Sequence, residues 1–112
     1  MFSTTHRFHG LGALKGVYAR GKSVRGTTLS LKYLDRGGDK PFRVAVVVSR
    51  KVSKSAVVRN RIRRRVYGEL RQLSAAIPAG LDLVFTVYND QVATMETAKL
   101  AAAIRDLLKK AG

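Results

Sequence analysis

Residues 55–73 read SAVVRNRIRRRVYGELRQL, and the spacing within this stretch decides how the chain folds. Val58, Ile62, Val66, Leu70 and Leu73 recur at intervals of four, four, four and three. That period puts all five on one side of an α-helix and predicts a long helix that buries this side against something else. Ser53 or Ser55 supplies the N-cap, and Gly68 is the one weak helix former inside the stretch. Around the apolar stripe fall the arginines Arg59, Arg61, Arg63, Arg64 and Arg65. Arg59 and Arg63 lie one turn apart, and so do Arg61 and Arg65.

The segments on either side supply what such a helix packs on. Residues 27–34 (TTLSLKYL) alternate, with Leu29, Leu31 and Tyr33 on one side and Thr28, Ser30, Lys32 and Leu34 on the other. This is the pattern of a half-buried strand. Residues 35–39 (DRGGD) form a turn with two glycines for positive φ. Residues 42–49 (FRVAVVVS) form a second strand, whose nearly unbroken apolar run predicts a central position. The short link predicts that these two strands pair as an antiparallel hairpin, and a short extra strand near Val24-Arg25 precedes them. Residues 81–88 (LDLVFTVY) form a further strand, with Leu81, Leu83, Phe85 and Val87 opposed to Asp82, Val84, Thr86 and Tyr88. A weaker helical pattern covers residues 9–20, where Leu11, Leu14, Val17 and Tyr18 are spaced for one face and Gly21 follows. Asn89-Asp90 is a turn, and Thr94 is expected to cap a last helix that runs to about Lys110 with Leu100, Ile104, Leu107 and Leu108 inward. The fold class is α+β, a two-layer sandwich of one small sheet with helices packed on it. A length of 112 residues suits one domain over 1–112, and an apolar fraction of 46% suffices for one core.

Charge narrows the function. The chain carries 22 Lys and Arg against seven Asp and Glu, for a net +15. Residues 1–80 hold 18 of the basic and three of the acidic side chains, so all of the excess lies there. Between Arg50 and Arg65 eight cations (Arg50, Lys51, Lys54, Arg59, Arg61, Arg63, Arg64 and Arg65) follow one another with no acid among them. Side by side they repel, and phosphates placed between them turn that cost into a gain. Arginine suits phosphate and base contact better than lysine, because its planar fork binds in a bidentate manner and stacks. Asn60 adds a donor and an acceptor for a sugar hydroxyl or a base edge. A solvated surface and a membrane-surface helix explain this density less well than a nucleic-acid interface does. No apolar run reaches the ~20 residues of a spanning helix. The first residues lack an apolar signal-type region, so a soluble cytoplasmic protein is expected. With no cysteine there is no disulfide and no thiol chemistry. The seven acids are scattered, and no carboxylate pair suits a two-metal site. His6 and His9 read as solvent-exposed or phosphate-touching groups rather than as a metal pair. No catalytic residue and no metal site is assigned.

The stretch Lys54-Ser-Ala-Val-Val-Arg-Asn-Arg-Ile-Arg-Arg-Arg65 resembles the signature of the bacterial ribonuclease P protein. That family has an alanine three residues before Arg-Asn-Arg, then an apolar residue and a basic pair, matched here by Ala56, Arg59, Asn60, Arg61, Ile62, Arg63 and Arg64. FRVAVVVSRKVSK, Arg7-Phe8, Val17-Tyr18-Ala19-Arg20-Gly21 and LDLVFTVYND also resemble it. The resemblance implies an αβββαβα order of elements, the ribosomal protein S5 domain 2-like fold. It implies a protein subunit that binds a catalytic ribonuclease P RNA, one to one and as a monomer, through Arg50, Lys51, Lys54, Arg59, Asn60, Arg61, Arg63, Arg64 and Arg65. It further implies that the RNA holds the Mg2+ and cuts precursor tRNA at the 5′ leader. A cleft lined by Leu14, Tyr18, Lys32 and Arg43 is the implied leader site. Aromatic residues usually line that cleft, and here Leu14 and Lys32 stand where aromatics are common. Leader binding is therefore expected to rest more on charge than on stacking. Tyr18 is either a stacking platform or part of the core. Tyr67, where a further basic residue is common, either trims the positive face or stacks on a base. The alternatives are an RNA-binding protein of ribosomal or RNA-chaperone type, and a DNA binder reading a major groove with the long helix. The latter fits poorly, because Arg59 to Arg65 point to phosphate rather than to base edges.

Self-repulsion of this size predicts that anions stabilise the free protein. Millimolar sulfate is expected to raise Tm in thermal unfolding; an unchanged Tm would count against it.

Overall fold

The computed structural model describes His6, Phe8 and residues 11–111. Its elements are α1 (Leu11–Arg20), β1 (Lys22–Arg25), β2 (Leu29–Asp35), β3 (Arg43–Val48), α2 (Ala56–Gln72), β4 (Leu81–Val87) and α3 (Thr97–Ala111), with short 3-10 turns at Ser74–Ala76 and Asp90–Ala93. His9, Gly10 and the Leu11 side chain, which the sequence places at the start of the first helix, lie outside the described residues, as does Arg7.

The four strands form one sheet in the order β1-β2-β4-β3. β1 is antiparallel to β2 and β2 to β4, whereas β3 runs parallel to β4. The expected hairpin of β2 with β3 is therefore wrong, because β4 lies between them. The expected central place of β3 is wrong too. β4 is central and almost wholly buried, while β3 is an edge strand buried at alternate residues, Val44, Val46 and Val48. A run of valines fits either position, because Val47 and Ala45 are small enough to stand half-buried on an open face.

One face of the sheet closes the core. Leu29 and Leu31 of β2, Leu83, Phe85 and Val87 of β4, and Val44, Val46 and Val48 of β3 pack there with Ile62, Val66 and Leu70 of α2 and Leu100, Ile104 and Leu107 of α3. The apolar stripe of α2 is thus buried as its spacing predicts, with Val58 and Leu73 packed at its ends. Ser55 caps α2, its Oγ accepting from Val58 N–H at 3.3 Å. Thr94 does not cap α3. It ends the preceding 3-10 turn, and the first α3 bond runs from Leu100 N–H to Glu96 O at 3.0 Å.

The other face is covered only in part, by α1, which buries Val17. Gly21 lets α1 turn into β1 at close quarters: a Cβ there would lie 2.4 Å from Val17 O and 2.8 Å from Tyr33 O, both backbone atoms.

At the start of β4, Asp82 is buried to 1% exposure and meets two arginines. Arg43 donates Nε to Oδ1 at 2.8 Å and Nη2 to Oδ2 at 2.7 Å. Arg36 Nε lies 2.8 Å from Oδ1, a charge contact rather than an aligned hydrogen bond, and its Nη2 donates to Pro41 O at 2.8 Å. Hydrogen bonding to Asp82 raises the Arg43 pKa above its ordinary value.

Gly21→Ala is expected to cost more than ~2 kcal/mol, since neither backbone contact is free to move. Urea unfolding checks this, and a loss under ~0.5 kcal/mol would show that the α1–β1 corner has slack.

Candidate RNA interface

Two surfaces carry the candidate residues. The first is the solvent side of α2 with the 49–55 junction before it. Arg50, Lys51, Lys54, Asn60, Arg61 and Arg64 are exposed; Arg59, Arg63 and Arg65 are half-buried. Burying Ile62, Val66 and Leu70 fixes the rotation of the helix, so the arginines between them have no side to occupy but the outer one and its flanks. Arg50, Lys51, Lys54, Ala56 and Arg59 line one hollow at the N-terminal end of α2. Arg59 braces its rim, with Nη1 donating to Ser53 O at 2.8 Å. Arg63 Nη2 donates to Asn60 Oδ1 at 2.6 Å, which fixes the Asn60 amide and turns its NH2 away from Arg63.

Arg65 departs from this set. Its Nη1 donates to Val92 O at 2.6 Å and its Nη2 to Met95 O, so its guanidinium ties the 92–95 segment to α2. Tyr67 likewise faces inward: it packs on the core, and its hydroxyl accepts from Val46 N–H at 3.1 Å on the free edge of β3. The contact gives Tyr67 a structural role at the strand edge that neither alternative read for it includes.

The second surface is the open face of the sheet. The register places Lys32 of β2 and Ala45 of β3 opposite Val84 of β4, and Arg43 opposite Asp82. α1 forms one wall. Tyr18 is 45% exposed, which excludes the core reading, and Lys32 Nζ stands 5.6 Å from the centre of its ring. Leu14 is half-buried on the same helix. The opposite wall begins at Phe8, over whose ring the Arg43 guanidinium sits at 5.2 Å. The structure therefore brings Tyr18, Lys32 and Arg43 to one face, and adds Phe8, which the sequence tied only to the family's Arg-Phe pair. His6 is not a free histidine: it stacks on Phe42 at 4.0 Å, and its Nδ1 lies 2.9 Å from Phe42 O. His9 lies outside the described residues. Among the described residues no group of three or more His, Cys, Asp or Glu is placed to hold a metal ion, and no helix is long and apolar enough to cross a membrane.

The arrangement offers phosphate contact along α2 and, separately, a groove floored by a sheet and walled by a helix. The model of the family described as Ribonuclease P matches residues 2–112. The chain is 48% identical to a ribonuclease P protein component from a Pseudanabaena strain over 71 residues, which span 63% of this chain and 61% of that one. It is 34% identical to the ribonuclease P protein component of Gluconacetobacter diazotrophicus over 113 residues, covering 100% of this chain and 96% of the other. The fold matches the RNase P protein from Thermotoga maritima with a TM-score of 0.82 at 23% identity, over 93% of this chain and 96% of that one.

Arg65→Ala is expected to lower stability by ~2 kcal/mol through its two carbonyl contacts, while Arg64→Ala stays within ~0.5 kcal/mol. Paired melting curves test the division; equal losses would overturn it.

Proposed function

Because the chain belongs to the ribonuclease P protein family, and so is the protein subunit of a ribonucleoprotein endoribonuclease with a ribonuclease P RNA as its partner, we propose a division of labour between its two surfaces. The outer side of α2 and the 49–55 junction bind the RNA subunit through Arg50, Lys51, Lys54, Arg59, Asn60, Arg61, Arg63 and Arg64. The open sheet face takes the 5′ leader of precursor tRNA between Leu14 and Tyr18 on one side and Arg43 on the other, over Lys32. Arg65 serves the first surface from behind, by holding the 92–95 segment against α2.

The observation that carries this reading is that the cationic helix and the half-covered sheet face are different surfaces of one small fold. The stripe that turns the arginines outward also fills the core on the side away from α1. A protein needing only one RNA contact has no use for the second, and family membership sets aside the ribosomal, RNA-chaperone and DNA-binding readings.

Catalysis and Mg2+ belong to the RNA in this scheme. Asp82, the one buried carboxylate among the described residues, is taken up by Arg36 and Arg43 and does not suit a cation. The protein's part is electrostatic: it neutralises RNA phosphate, lowers the magnesium needed to fold and load the RNA, and holds the leader in place. It acts as a monomer in a one-to-one ribonucleoprotein in the cytoplasm.

In the groove, Lys32 beside Tyr18 favours charge over stacking. Affinity for the leader should fall steeply with salt, and Tyr18→Ala should cost less than the ~1–3 kcal/mol of a strong stacking site. The test is reconstitution with the ribonuclease P RNA of the same organism and a precursor tRNA at low magnesium. The protein is expected to lower the magnesium requirement and to tighten precursor binding over mature tRNA. Failure in both respects would overturn the reading.

A further inference from the structure

We propose that Tyr88 is a second base-stacking platform for single-stranded RNA, placed where the open sheet face meets the cationic hollow at the start of α2. The proposal rests on the leader-groove reading above and extends it to a residue outside the groove as assigned.

β4 ends at Val87, but Tyr88 N–H still donates to Thr28 O at 2.9 Å, so the ladder with the β2 side continues for one residue. Side chains alternate along a strand, and Tyr88 therefore shares the side of Val84 and Thr86, the open face. Tyr88 is 46% exposed, as much as Tyr18. The side chains flanking this end of the face are short: Ser30 opposite Thr86 on β2 and Val47 opposite Thr86 on β3. A large ring standing among short neighbours at the end of an open sheet face leaves a π-surface for a base.

The second strand of the argument is charge. Val48 is the register partner of Val87, so β3 leaves the sheet beside Tyr88 and runs straight into Ser49, Arg50 and Lys51. These lead to the hollow lined by Arg50, Lys51, Lys54, Ala56 and Arg59. An aromatic ring next to a cationic rim is the combination that binds single strands without regard to sequence: the ring takes a base while the cations follow the backbone.

Position then separates Tyr88 from Tyr18. Tyr18 stands at the level of Lys32, whose partner is Val84, and four strand residues from Val84 to Tyr88 span about 13 Å. The two rings serve different nucleotides. Tyr88 lies at the end nearer the RNA-subunit surface, so its nucleotide is the one closer to the cleavage site. With Lys32 in place of an aromatic at the groove centre, this chain keeps a stacking contact by moving it toward the junction.

The test uses the reconstituted ribonucleoprotein with Tyr88→Ala, Tyr88→Phe and Tyr18→Ala. Affinity is measured for mature tRNA and for precursors whose leaders lengthen by one nucleotide at a time, with 2-aminopurine placed at each leader position in turn. Expected for Tyr88→Ala are a loss of about fivefold to tenfold in precursor affinity, unchanged mature-tRNA affinity, and loss of 2-aminopurine quenching at one position near the cleavage site. Tyr88→Phe should behave as the unaltered protein, and Tyr18→Ala should relieve quenching at a different position farther out. If Tyr88→Ala changes neither affinity nor quenching while Tyr18→Ala does, the Tyr88 proposal fails and the groove stands. If neither variant changes either readout but precursor affinity still rises with leader length and falls with salt, the Tyr88 proposal fails and the charge-based groove stands; if leader length leaves affinity unchanged in the unaltered protein, the groove reading fails with it. An equal loss for mature tRNA would place Tyr88 outside leader contact and also overturn the proposal.

Discussion

A single buried carboxylate holds the topology at one end. Asp82 begins the central strand, and the arginines that meet it come from opposite neighbours: Arg36 follows β2 and Arg43 opens β3. Such a pair gains its Coulomb energy only where geometry is good, and leaving one member alone in the interior is expensive. Here the carboxylate has bidentate contact from Arg43, and each arginine keeps a solvent-facing part, so desolvation is limited. The 36–42 connection crosses the start of β4 under the same control. Arg36 N–H donates to Gly80 O and Gly80 N–H to Lys40 O, both at 2.8 Å. Gly80 has φ of 84°, and a Cβ there would sit 2.9 Å from Gly37 O, so a residue without a side chain is required where the two segments cross. β4 is thereby kept between two strands that would otherwise be free to pair with each other.

That central strand separates two kinds of surface. On one side the sheet is sealed by α2 and α3, and the sealing turns a row of arginines outward. On the other side α1 covers the sheet incompletely and leaves polar and short side chains half-exposed beside Tyr18 and Lys32. The two surfaces approach one another at the 49–55 junction, where β3 hands over to α2. In the proposed division of labour, this corner holds the leader site and the RNA-subunit surface in a fixed relation to one another. The junction itself is a turn, but it is anchored at both ends by regular secondary structure, β3 up to Val48 and α2 from Ala56.

The sequence made the elements and their buried sides legible, because hydrophobic period depends on local geometry. The stripe from Val58 to Leu73 and the alternation of Leu29 and Leu31 stand where their spacing puts them, and the extra strand expected near Val24-Arg25 is found as Lys22–Arg25. Period says nothing about which strand lies next to which, and proximity along the chain was a poor guide: β2 pairs with β4 and not with β3. The positive glycines at 37 and 38 are real, with φ of 73° and 77°, but they serve a crossing rather than a hairpin. The same limit applies to individual residues. Arg65 belongs to the basic run by composition, yet its contacts are to carbonyls some thirty residues away, Val92 and Met95. Tyr67 covers a strand edge, a role that no local pattern encodes. Asp82 is one of seven scattered acids until two arginines are seen to converge on it.

The placement of β4 also sets the order in which the chain becomes a protein. Leu29 pairs with Val87, across about half of the chain, and among the described residues β3 pairs with β4 alone. Until residue 81 has been made, the sheet is limited to the ribbon of β1 and β2, and such a ribbon is marginal by itself. Everything that carries the net charge has been synthesised by then. A growing chain of this protein therefore passes through a stage that is polycationic and has no closed core, and distant pairing of this kind is slow to form. The sheet, and with it the packing that turns the arginines of α2 outward, is completed by the last third of the chain, which itself adds no net charge.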